Sequence, residues 1–145
     1  MIEPTQRLAP PSGHPPPTVQ TLGDGTELDL QSLAREICRR YREEFPDEQS
    51  RYGDAGEAWC RHDNQHILNW AALALRGFVD LNKQLSWLAR VLEARDFPLE
   101  RLARNLEIAS EVVSEKIGAE EATALAAKLR DSAGLVGAKP APPSE

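Results

Sequence analysis

From Leu30 onward the apolar residues recur at intervals of three and four, and this spacing holds to about residue 132. No stretch of that length alternates apolar and polar in the period of a half-buried strand, so the period alone restricts the chain to helices. Proline bounds the helical region on both sides. PPSGHPPPT and GDG lie before it, and KPAPPSE lies after it. Proline at that density removes amide donors and blocks helix continuation. Residues 1–26 therefore read as a disordered Pro-rich arm, 27–133 as one helical domain and 134–145 as a disordered tail. The expected fold class is all-α, a bundle of about five helices with short connections and no sheet.

The breaks between helices are also local. Asp29 or Thr26 caps a first helix that Pro46 ends, with Leu30, Leu33, Ala34, Ile37, Cys38, Tyr41 and Phe45 on its apolar stripe. The polar run PDEQSRYGDAG connects to a second helix over about 54–75, punctuated by Gly77. A third helix is expected over 78–95, burying Phe78, Leu81, Leu85, Leu88 and Leu92. Asp96-Phe97-Pro98 stops it and starts a fourth, which carries Leu99, Leu102, Leu106, Ala109, Val113 and Ile117 up to Gly118. A fifth is expected over 119–132, with Leu125 and Leu129 inward.

Charge and composition narrow the function classes. A net charge of −6 offers no basic stripe to displace counterions from nucleic acid or to dock on an anionic membrane. No apolar run approaches the ~20 residues of a spanning helix. The first residues lack the charged-then-apolar order of a secretory leader. Cys38 and Cys60 lie on separate helices and read as free thiols, with the cytoplasm as the expected compartment. There is no nucleophile elbow, no glycine-rich phosphate loop and no third group to orient a Cys60–histidine pair, so the chain reads as non-enzymatic. Cys60 and His62 diverge too far around their helix to share a structural metal.

The second helix carries the one unusual face. Advancing 100° per residue places Trp59, His66, Ile67, Trp70, Leu73 and Ala74 on one side, with Cys60 at its edge. Arg61, Gln65 and Asn69 fall opposite, on what reads as the solvent side. Asp63 lies near the middle of the apolar side, where an unpaired carboxylate is costly. Two readings follow. Asp63 is structural glue bonded to an arginine or to helix-end amides, or it faces the N–H groups of a ligand. Trp87 sits opposite the leucine stripe of its own helix and suggests either a second contact surface or packing beneath the arm.

Cys60, two residues, Asp63, then Ile67-Leu68, Trp70 and Ala74, with Tyr52 eight positions upstream, resembles the chromophore helix of the phycobilisome biliproteins. The similarity runs over about residues 50–118, and the positions of Phe97-Pro98 and Val112-Val113 follow it. The resemblance implies a globin-like helical fold, a linear tetrapyrrole (a bilin) as cofactor, a thioether at Cys60 and pyrrole N–H groups donating to Asp63. Tyr52, His66 and Trp70 complete the expected cofactor-binding set. Departures from the family are equally specific. His62 stands where an arginine precedes the aspartate, and Asp54, Ala55, Gly56 and Glu57 stand where arginines hold propionates. Conventional haem is disfavoured because the third and fourth helices contain no histidine. Two functions therefore compete: a sensor or regulatory module binding a small ligand near Cys60 and Asp63, and a cofactor-free interaction adaptor or dimerisation module. A homodimer or a dedicated protein partner is expected from Trp87 and from the subunit pairing of the resembled family.

Overall fold

The computed structural model describes residues 15–118 and 120–138. It contains five helices: α1 (Leu30–Glu44), α2 (Asp47–Leu75), α3 (Leu81–Glu93), α4 (Leu99–Lys116) and α5 (Glu120–Ala138). They enclose a single core in which Leu30, Ile37, Ile67, Leu68, Leu85, Leu88, Leu106, Ile108, Leu125 and Leu129 are essentially without solvent contact. The α4 helix packs most extensively against α5, and α1 packs against α2 and α4. Leu125 and Leu129 face inward, and the mostly helical fold expected from periodicity is present.

The expectation of an all-helical chain without a sheet needs correction at its N-terminal edge. Strands β1 (Val19–Thr21) and β2 (Glu27–Asp29) form an antiparallel hairpin, with Val19 opposite Asp29 and Thr21 opposite Glu27. Residues 15–26 are thus not a disordered arm; residues 1–14 of that arm lie outside the described residues. The turn closes because Gly25 adopts φ 92°, Leu22 N–H donates to Thr26 O and Thr26 N–H donates to Asp24 Oδ1 at 2.9 Å. Leu22 and Leu28 are buried in the core, and that burial holds so short a ribbon in place. Gln65 Nε2 donates to Pro17 O at 3.0 Å, and Gln20 Nε2 donates to Asn69 Oδ1 at 2.7 Å. The side of α2 expected to face solvent at Gln65 and Asn69 is therefore covered by this N-terminal segment.

Helix ends decide the other differences. Asp29, rather than Thr26, caps α1, accepting from Ser32 N–H at 3.0 Å. Gly77 N–H donates to Ala74 O and Phe78 N–H to Leu73 O, the two bonds of a Schellman closure with Gly77 at φ 82°. Asp80 then caps α3 through Lys83 N–H, so Phe78 stays outside the helix and 65% exposed instead of buried. The same closure ends α3, with Asp96 at φ 63° and Phe97 N–H donating to Leu92 O. Trp87 is half-buried and packs on the core. The fifth helix extends to Ala138, past the expected end at 132 and into the segment read as a disordered tail; residues 139–145 of that tail lie outside the described residues.

Cys38 of α1 and Cys60 of α2 form a disulfide, with Cα atoms 6.0 Å apart, and are not free thiols. Their separation lies within the roughly 4.4–6.8 Å that such a bond spans. Sequence placed each cysteine on its own helix; the packing of α1 on α2 brings them together. Such bonds persist in oxidising surroundings, which removes one support of the cytoplasmic expectation. No helix among the described residues is long and apolar enough to cross a membrane.

Candidate functional site

The polar connection expected before α2 is itself helical. Residues 47–52 coil first, and Gly53 at φ 68°, ψ −163° breaks the run before the long segment that carries Trp59 and Asp63. Only glycine adopts that backbone without strain. One turn further, a Cβ on Gly56 would lie 2.5 Å from the Tyr52 Cβ, so the missing side chain is what lets Tyr52 lie against the helix. This broken helix, with α1, α3 and α4, borders a half-open cavity of about 390 Å³. Its walls include Tyr52, Trp59, Ile67, Leu88, Leu92 and Phe97.

Asp63 lines this cavity with its side chain 13% exposed, as the helical projection required. Its carboxylate lies 3.3 Å from His62 Nδ1. Burial pushes the Asp63 carboxyl above the usual carboxylate range; the hydrogen bond and charge of His62 and the Arg95 charge pull it down without prevailing. Asp63 is thus chiefly a desolvated carboxyl. The two groups that offset its charge sit at the cavity rim or on its own helix.

A raised folded-state pKa has a definite consequence for stability. Below the unfolded-state pKa both states are protonated and nothing is lost. As pH rises through the raised folded value, the native state must ionise a buried group and stability falls. Asp63→Asn removes this titration. The variant is expected to melt above wild type at pH 7, with the gap closing on acidification below the unfolded pKa of an aspartate, near about 4. Calorimetric melting across a range of about pH 3–8 measures it. If Asp63→Asn instead lowered the melting temperature at pH 7, the ionised carboxylate would be a structural partner.

The remaining sequence-derived site residues separate into two groups. Tyr52 and Cys60 line the cavity with Asp63. His66 and Trp70 do not: His66 leaves α2 in a different direction from Asp63 and Ile67, and Trp70 lies two turns beyond Asp63 along the helix. His66 stacks between His62, 4.6 Å away, and Trp70, 5.7 Å away. Cys60 is engaged by Cys38, so a thioether at Cys60 requires that bond to be opened first.

Several residues of the site were not legible in the sequence. Arg95 lines the cavity with its guanidinium 3.7 Å above the Trp59 ring centre. Asn64 Nδ2 donates to Asn105 Oδ1 at 3.0 Å and Asn105 Nδ2 donates to Asn64 Oδ1 at 2.8 Å, a reciprocal pair of hydrogen bonds that joins α2 to α4 beside the cavity. Asn64 Nδ2 also donates to Cys60 O at 2.9 Å and lies 3.6 Å from Cys38 Sγ. Glu48 is buried and accepts from Tyr41 Oη and Arg101 Nη1, both at 2.8 Å. Burial, then the Glu48 carboxylate, pushes the Tyr41 phenol well above its ordinary range. A seven-residue spacing from Tyr41 to Glu48 across Pro46 was the available signal, but it acquires meaning only when the chain reverses there. Among the described residues, no group of three or more His, Cys, Asp or Glu side chains is placed to hold a metal ion. No protein-family model, curated protein or solved structure matches this chain.

Proposed function

We propose that the chain is a non-enzymatic, globin-like sensor or regulatory module that binds a small planar ligand non-covalently between α2, α3 and α4. The observation that carries this reading is a desolvated Asp63 carboxyl on the wall of a 390 Å³ cavity whose aromatic and aliphatic side chains, Trp59, Ile67, Leu88, Leu92 and Phe97 among them, are joined by a set of polar ones. Small-ligand sites have this character, an apolar enclosure with few polar groups that fix orientation, at volumes of about 300–1,000 Å³. A ligand N–H donating to Asp63 supplies the partner that burial leaves the carboxylate short of. The resemblance of residues 50–118 to biliproteins supports the same face of the same helix as the binding face. The intact Cys38–Cys60 bond favours non-covalent over thioether attachment.

The test is a ligand-observed NMR screen of planar N–H compounds, including lactams, pyrroles, amidines and a linear tetrapyrrole. Wild type is compared with Asp63→Asn. The expected result is a set of binders whose saturation signal disappears in the variant while its circular dichroism is retained. Absence of any Asp63-dependent binder would overturn the reading and leave the interaction-adaptor alternative.

A further inference from the structure

We propose that the ligand of this cavity is an organic cation of the amidinium or aryl-ammonium class, and that the chain's own Arg95 competes with it for the Trp59–Asp63 corner. This inference rests on the binding role assigned to the cavity above and names the ligand's chemistry.

Trp59 and Asp63 are one helical turn apart on α2, so an aromatic face and a carboxylate point into one space. That pairing is the general recipe for holding an organic cation, through ring quadrupole and opposite charge together. Arg95 already illustrates the preference. It projects from the C-terminal end of α3, remains exposed as a residue, and yet lays its guanidinium 3.7 Å over the Trp59 ring. A planar cation from the rim of the cavity is therefore seen seated on the Trp59 ring, within electrostatic reach of Asp63.

The other charges around the cavity are matched elsewhere. Glu48 is held by Arg101 at 2.8 Å and by Tyr41. Arg51 lies 3.5 Å from Asp47 and over the Tyr52 ring. What remains is Asp63 inside, with His62 beside it, and Arg95 at the mouth. Depth decides the sign of the ligand: a molecule entering the cavity meets the carboxylate in the interior and can displace the exposed guanidinium. An anion would meet its partner at the rim and a carboxylate beyond.

Three isosteric probes separate charge from shape: benzamidine, benzamide and benzoate. Affinity is read from titration of the amide and indole N–H resonances of isotopically labelled full-length protein. Benzamidine is expected to bind about tenfold tighter than benzamide, with benzoate weakest. Arg95→Ala, checked by Arg95→Gln and by circular dichroism, is expected to tighten benzamidine by about two- to fivefold because the internal competitor is gone. Asp63→Asn is expected to erase the preference for benzamidine over benzamide.

Equal binding of benzamide and benzamidine would overturn the cation assignment while leaving the cavity a ligand site. Preferred binding of benzoate, lost in Arg95→Ala, would overturn it in favour of an anion. Weakened benzamidine binding in Arg95→Ala would reject the competition. If none of the three probes binds but a neutral planar compound does so through Asp63, the class is wrong and the site stands. If nothing binds through Asp63, the binding role itself falls.

Discussion

Arg101→Ala is expected to destabilise the protein by about 3–5 kcal/mol, among the largest effects of any single polar substitution, because it leaves a buried carboxylate without its cation. Glu48 has a side chain only 5% exposed and Arg101 one 16% exposed, and their atoms meet at 2.8 Å. Arg101 also reaches Asp47 at 2.9 Å and lies 4.4 Å over the Phe45 ring, so one side chain clamps the α1–α2 connection to α4. The comparison with the surface is direct. Arg39 and Glu43 also meet at 2.7 Å but with side chains 55% and 67% exposed. Such a pair contributes about 0.2–1 kcal/mol at most, since water already solvates both charges.

Urea unfolding of Arg101→Ala, Glu48→Gln and the double variant tests this account. Glu48→Gln retains an oxygen to accept from Tyr41 and carries no charge, so the double variant is expected to recover part of the Arg101→Ala loss. Strict additivity of the two substitutions would show that the loss comes from the packing of Arg101 on Phe45 and from Asp47.

Opening the Cys38–Cys60 bond is expected to cost about 3 kcal/mol. The bond closes a loop across a sequence separation of 22, and for loops of that size the chain-entropy estimate is about 3 kcal/mol. The expected midpoint loss is the same whether the bond is removed by Cys38→Ser or by a thiol reductant acting on wild type. Reductant should have no further effect on the variant. In the native oxidised protein neither cysteine should alkylate, and intact mass reads this directly. A Cys38→Ser protein as stable as untreated wild type would show that the bond does not form. The bond also bears on ligand chemistry. Only in the reduced protein does the cavity wall present the Cys60 thiol that a covalently attached ligand would need.

The helices were legible because each is specified by neighbours a few residues away. The stripe of α1, the Asp29 cap, the stops at Pro46 and Gly77, and the Leu125–Leu129 face of α5 all follow from local period and local hydrogen bonding. The inward direction of Asp63 followed from the same period, counted from Trp59 and Ile67. The start of α3 shows where local reading falters. Phe78 fits the apolar stripe, but Gly77 in a left-handed conformation and the Asp80 cap start the helix three residues later and leave the ring in water.

Sequence alone determined that this chain is mostly helical, where most helices stop, and which face of α2 carries the carboxylate. Tertiary structure alone decided what that face meets. The docking of the hairpin turned Gln65 and Asn69 into covered residues, and the packing of α1 on α2 joined two cysteines that sequence left apart. The return of α4 buried Glu48 against Arg101, 53 positions away, and the end of α3 laid Arg95 over Trp59. Helical period is set by bonds four residues apart and is written in any short window. A buried charge pair, a disulfide or a cavity is set by which helices become neighbours, and that depends on burying the whole apolar surface at once.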